Sequence, residues 1–222
     1  EKHRIKAISN GVNSWKDKKC SSAIMGLKGK NSHIIDKIIN INQQDIDKIL
    51  PKKIENNKCN WKYNKNELFV DFETLSDIFV GFDNLPKQES SDMIFMIGVG
   101  WYEDNIWKYK NYICNESTYE EEYRIMNEFS IFVHSRNNPT LNYWYADSFF
   151  WKKAESRQFD LASCRVQKKN ISDNWKLDNW CDMYNIFKEE PIVVKDCFNF
   201  GLKSIAKAMK KHNMINIEIE SN

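Results

Sequence analysis

The chain has 222 residues and a formal net charge of +2, from 33 Lys and Arg against 31 Asp and Glu. That near balance neither requires nor excludes a polyanionic partner, because local patches decide. With 41% hydrophobic and 14% aromatic residues, the chain can bury a full core as one large domain, or as a domain with an appendage. No run of about 18 apolar residues occurs, so no membrane-spanning helix is expected. The opening EKHRIKAISNG lacks the apolar centre of a signal peptide. The six cysteines (Cys20, Cys59, Cys114, Cys164, Cys181, Cys197) form no CxxC pair, and the four histidines lie near none of them at ligand spacing. This argues against structural zinc and reads as reduced thiols in an intracellular protein. The chain starts without Met and in mid-pattern, which reads as a piece of a longer protein.

Residues 1–64 read as a small helical N-terminal region and its connection. NSWKDKKCSSAIMGLKGKNSHIIDKI suits two short helices broken by Gly26 and Gly29, and IIDKIININQQDIDKIL continues helical until Pro51. Such glycine-turn helix pairs can grip a nucleic-acid backbone or simply pack on the next domain. From residue 65 the texture changes to a second domain running to residue 222. Leu68–Phe72 reads as a buried strand, and Met93–Tyr102 as a second, turned by Glu103-Asp104-Asn105 into a third, Ile106–Cys114. Ser117–Val133 is a capped amphipathic helix with acids in its first turn. Thr140–Ala146 reads as a fourth strand and Ser148–Arg157 as a helix. Helices are also expected at Asn179–Phe187 and, basic and amphipathic, at Leu202–His212. The order predicts an α/β layer with a mixed sheet flanked by helices.

The informative stretch is ELFVDFETLSDIF, residues 67–79. Strand periodicity puts Asp71 and Glu73 on one face at a strand end. Two carboxylates so close repel unless a cation lies between them. Hard oxygen clusters of this kind suit Mg²⁺ or Mn²⁺, and two such ions about 3.5–4 Å apart can drive phosphodiester hydrolysis. A third acid, Asp147, follows the fourth strand in LNYWYADSFFWKKA. It is equally a candidate N-cap for the next helix. Asp182 reads as a buried acid within the apolar helix at 179–187.

VDFET before a hairpin, NYWYAD opening a helix, and the later DMYNIFKEEPIVVKDCFNFGLKSIAKAM together resemble the DEDD exonucleases of the ribonuclease H-like fold. The similarity is greatest to the ribonuclease H-like domains joined to RecB-type nucleases in bacteria and large DNA viruses. It covers about residues 67–212. The resemblance implies a ribonuclease H-like sheet and a two-metal nuclease, 3′–5′ exonuclease-like, acting on DNA or RNA. It makes Asp71, Glu73 and Asp147 catalytic metal ligands for two Mg²⁺ or Mn²⁺ ions. It makes Thr74, Asn142, Trp144 and Lys203 candidates for contacting substrate. The family's last motif, Tyr or His three residues before Asp, does not occur after Lys203, so its ligand is expected beyond Asn222. Trp144, Tyr145, Phe149 and Trp151 are candidates for base stacking. Lys152, Lys153, Lys203, Lys207, Lys210 and Lys211 are candidates for following a phosphate backbone. The competing expectation is a ribonuclease H-like module that binds nucleic acid or protein within a larger assembly but lacks a complete metal site.

Overall fold

The fold was analysed in a computed structural model that describes residues 1–29, 31–54, 66–75, 92–144, 155–167 and 175–217. In chain order the elements are α1 (Lys2–Ser9), α2 (Ser32–Gln43), β1 (Ile49–Leu50), β2 (Glu67–Leu75), β3 (Met93–Glu103), β4 (Ile106–Ile113), α3 (Tyr119–Ser135), β5 (Thr140–Tyr143), α4 (Glu155–Gln167), β6 (Trp180–Asp182), α5 (Met183–Glu189), β7 (Val193–Val194) and α6 (Leu202–Lys211). By packing, the chain divides into two compact units. One is Lys58–Met183; the other joins Glu1–Asn57 to Tyr184–Asn222. Sequence texture alone places a change near residue 65; packing adds that the segment from Tyr184 belongs with the N-terminal helices.

The unit Lys58–Met183 is an α/β layer on a five-stranded mixed sheet of order β4-β3-β2-β5-β6. β3 pairs antiparallel with both β2 and β4, while β2, β5 and β6 run parallel. The β3–β4 hairpin closes through Asp104 and Asn105, both at positive φ (53° and 62°). Two left-handed residues give a two-residue loop whose twist matches the strands, and Asp and Asn tolerate that conformation best after glycine. α3 starts where expected. The Thr118 side chain accepts the Glu121 backbone N–H at 3.3 Å, and Glu120, Glu121 and Glu122 fill the first turn. Leu68 and Val70 of β2, Ile97 and Val99 of β3, Ile125, Met126 and Phe129 of α3, and Phe159 and Ala162 of α4 form one buried core.

One buried ion pair crosses this core. Glu122 is fully buried (0% exposed). It accepts the Ile94 backbone N–H at 2.8 Å and pairs with the Arg165 guanidinium at 2.5 Å. Arg165 also donates to the Asp92 carbonyl at 3.2 Å. α3, α4 and the start of β3 are thereby tied together.

The other unit is assembled from both ends of the chain. β1 pairs antiparallel with β7. Asn42 accepts the Asp196 N–H at 2.6 Å, and Lys195 bonds the Gln44 carbonyl and Asp45. Asp196 holds both Lys211 (2.7 Å) and His212 (3.0 Å), locking the end of α6 onto the loop that precedes it. Asp36 accepts the Ser22 N–H and hydroxyl, each at 2.7 Å, fixing the turn-rich segment before α2.

Four expectations change. Of the two short helices expected across residues 13–38, only α2 forms among the described residues; residues 10–29 make turns. The helix expected through Leu50 ends at Gln43, and Ile49–Leu50 become β1. The helix expected at Asn179–Phe187 begins only at Met183, because Trp180–Asp182 pair with β5 as β6. The helix after β5 is described from Glu155 to Gln167, running ten residues past Arg157; Ser148 to Ala154 lie outside the described residues. Among the described residues, no helix is long and apolar enough to cross a membrane.

Breaking the Glu122–Arg165 pair from one side leaves a buried carboxylate with no counter-ion. Arg165→Ala should cost about 3–5 kcal/mol in urea unfolding. Glu122→Leu with Arg165→Met should recover part of that loss, since no lone charge then remains. Equal losses in the single and double variants would mean the pair is not the source.

Candidate functional site

In open α/β sheets, ligands collect at the carboxyl ends of parallel strands. Here β2, β5 and β6 are parallel neighbours, so their carboxyl ends share one edge of the sheet. β2 carries Asp71 and Glu73 towards that edge. Leu68 and Val70 are buried and Phe72 packs on the core, while Asp71 and Glu73 between and beyond them are exposed. The alternation places both acids on the face of β2 away from the core. The pairing with β3 slips between Glu73 and Thr74, and Thr74 follows half-buried.

β6 ends on Asp182, paired in register with Tyr143 at the end of β5. α4 starts on Glu155. The Glu155 carboxyl pKa is pushed up to about 7, chiefly by loss of hydration, and further by the negative charges of Asp71 and Asp182. Its Oε2 is buried and has no hydrogen-bond partner among the described residues. Although Asp71 keeps an exposed edge, lost hydration raises its carboxyl pKa as well. Tyr143 responds to the same field. Burial raises its hydroxyl pKa most, with Asp182 and Glu155 adding to it, while a hydrogen bond to Ser156 opposes the rise. Asp71, Glu155 and Asp182 therefore share one electrostatic neighbourhood, with Tyr143 beside it.

An aromatic cluster positions these acids. The Phe72 ring contacts Phe129 (5.9 Å between centroids), Phe159 (6.4 Å) and Trp180 (6.2 Å). Phe159 lies four residues after Glu155 on the same face of α4, and Trp180 lies two before Asp182 on the same face of β6. Each acid is thus a short, fixed step from a ring packed on Phe72.

The residues singled out in sequence fall as follows. Asp71, Glu73 and Thr74 lie together on β2. Asn142 is buried (2% exposed) on β5, and its amide donates to Glu67 at 2.9 Å; that amide is committed to the protein. Trp144 is half-buried just past β5. Lys203 is exposed in the first turn of α6, in the other unit. Asp147, with Tyr145, Phe149, Trp151, Lys152 and Lys153, lies outside the described residues. Sequence reading passed over Glu155 and set Asp182 inside a helix. The signal for Glu155 was its i,i+4 spacing to Phe159; for Asp182 it was the apolar Trp180-Cys181 pair before it.

The raised pKa has a stability consequence. A carboxyl whose folded pKa lies above its usual value contributes stability fully below pH 4.5, and loses it as pH rises through about 7. Glu121, held down to about 2 by Arg124, titrates below this window. Between pH 5 and pH 8, without divalent metal, Glu155→Gln should remove a stability loss of at most about 3 kcal/mol, read from urea midpoints. An unchanged pH slope in the variant would mean that Glu155 is not the buried, ionising group.

Comparison of the chain with family models, with curated proteins and with solved structures finds no match.

Proposed function

We propose that the unit Lys58–Met183 is a metal-dependent nuclease domain of ribonuclease H-like type, hydrolysing DNA or RNA phosphodiester bonds. The observation that carries this reading is Glu155. Among the described residues its buried Oε2 has no hydrogen-bond partner, and its charge is opposed by Asp71 and Asp182. A divalent cation relieves both problems at once. A sheet with three antiparallel strands and a parallel continuation is compatible with that fold class, and the acids sit at the strand ends where such sheets bind ligands.

The donor chemistry fits a hard cation. Asp71, Glu155 and Asp182 would hold Mg²⁺ or Mn²⁺, with Glu73 and Asp147 as further carboxylates. Among the described residues, no group of three or more His, Cys, Asp or Glu side chains is placed to hold a metal ion, so ligands beyond them, such as Asp147 or substrate phosphate, would have to complete the site. An open set of this kind suits Mg²⁺, which keeps waters and substrate phosphate in its coordination sphere. The ion would supply charge neutralisation at the phosphate and an acidified water. Without the ion, Glu155 takes up or releases a proton close to neutrality; a bound cation would hold it ionised as a ligand. Tyr143, kept protonated by its raised pKa, can donate its hydroxyl hydrogen.

The second reading is a binding module with an incomplete metal site. It is favoured by the absence, among the described residues, of any group of three or more His, Cys, Asp or Glu side chains that could hold a metal ion.

An end-labelled single-stranded oligonucleotide incubated with the chain and Mn²⁺ should shorten, and EDTA should stop it. Asp71→Ala and Glu155→Gln should each lower the rate about a hundredfold. Full activity in Asp71→Ala would overturn the assignment; tight binding without cleavage by the wild type would select the second reading. Independently of turnover, Mn²⁺ binding at pH 6.5 should expel about half a proton or more per site, seen by calorimetry in two buffers of different ionisation enthalpy. Glu155→Gln should abolish that release.

A further inference from the structure

The near-zero charge of the whole chain conceals a division. Glu1–Asn57 with Tyr184–Asn222 hold 18 Lys and Arg against 11 Asp and Glu, a formal +7; Lys58–Met183 hold 15 against 20, a formal −5. We propose that the unit built from the two chain ends is a nucleic-acid backbone-binding module, and that the exposed lysine stripe of α6 is part of its contact face. This deepens the nuclease reading, and rests on it only for the choice of nucleic acid as the polyanion.

The arrangement of charge within that unit supports the assignment. Several of its acids are engaged internally: Asp45 pairs with Lys195, Asp47 with Lys52, and Asp196 with Lys211 and His212. Asp36 serves Ser22. The surplus is cationic and exposed. On α6, Ile205 and Ala208 are buried, while Lys203, Lys207 and Lys210 are exposed. No carboxylate among the described residues pairs with any of these three. Their i, i+4, i+7 spacing forms one stripe about 10 Å long. Lys18, Lys19 and Lys28 are also exposed, on the turn-rich segment between α1 and α2, and add to the same surplus.

A row of unpaired ammonium groups complements a row of phosphates, and releasing the counterions condensed on a nucleic acid drives such binding. A membrane surface fits less well. An interfacial helix must offer an apolar face to the lipid; on α6 Ile205 and Ala208 are buried, and Leu202 is the exposed large apolar residue.

The test is fluorescence anisotropy of a labelled single-stranded DNA with the full chain, across a salt series, in EDTA so that no metal-dependent step enters. Wild type should bind with a steep salt dependence. Lys203→Ala/Lys207→Ala/Lys210→Ala should lower affinity about tenfold or more near 0.1 M salt and flatten the log–log salt slope by about 2. The corresponding triple Arg variant should bind within about twofold of wild type, which a loss of folding would not permit. Lys176→Ala, an exposed lysine of the acidic unit, should change nothing. Undiminished binding by the triple Ala variant overturns the proposal, as does preference for phosphatidylserine vesicles over DNA. Because EDTA removes the metal, the result does not depend on the metal site, so failure of the metal site and failure of the lysine face are told apart.

Discussion

Phe72 is the constraint on which the acidic unit depends. It sits between Asp71 and Glu73 on β2 but points the other way, and its ring meets α3, α4 and β6 through Phe129, Phe159 and Trp180. Burying such a ring supplies both hydrophobic energy and preferred ring geometry. Because interiors pack to near-crystalline density, the contacts fix where each element stands as well as how tightly it is held. The acids on β2, α4 and β6 inherit their positions from one apolar cluster. Repelling charges are held near each other by a core that would form without them.

Two acids on neighbouring helices illustrate how partnership separates structure from chemistry. Glu122 is fully buried, yet a guanidinium and a backbone N–H satisfy it. Glu155 is half-buried and has the opposite surroundings: lost hydration, two further carboxylates and an oxygen with no hydrogen-bond partner among the described residues. A folded protein keeps such a group at a cost in stability, and perturbed carboxyls of this kind concentrate at functional sites. The same logic operates at the scale of the whole chain. Charges of opposite sign are sorted into two packing units, so the unit that crowds carboxylates is not the one that carries the surplus of lysines.

How far this could be read in the sequence depended on element length. β2, the β3–β4 hairpin and α3 announced themselves, because each has a long regular period and a recognisable cap or turn. β6 did not. Its three residues run directly into α5, so apolar Trp180 and Cys181 merged with the helical spacing of Tyr184 and Ile186. β1 and β7 are two residues each, and only their pairing across nearly the whole chain makes them strands. At the site, Asp71 and Glu73 were visible from alternation within one strand. Glu155 was not, since KKAESRQ has the composition of a solvated helix start, and its burial is set by Phe159 and Phe72 from elsewhere. The α/β layer was legible; the ribonuclease H-like assignment and the nuclease activity rest on motif resemblance and on the site's electrostatics.

The sheet's far side has its own consequence. Among the described strands, β4 is terminal, and all of it but Tyr112 is exposed. Ile106, Trp107, Tyr109 and Ile113 lie open along it. An eight-residue strand with one unpaired ladder edge is a template for another strand. Lys108 and Lys110 interrupt that row, each exposed with its charge kept on the surface, Lys108 by Glu103 and Lys110 over the ring of Tyr112. Lys110 acts as a gatekeeper: a second copy approaching edge to edge meets its positive charge before backbone hydrogen bonds can form.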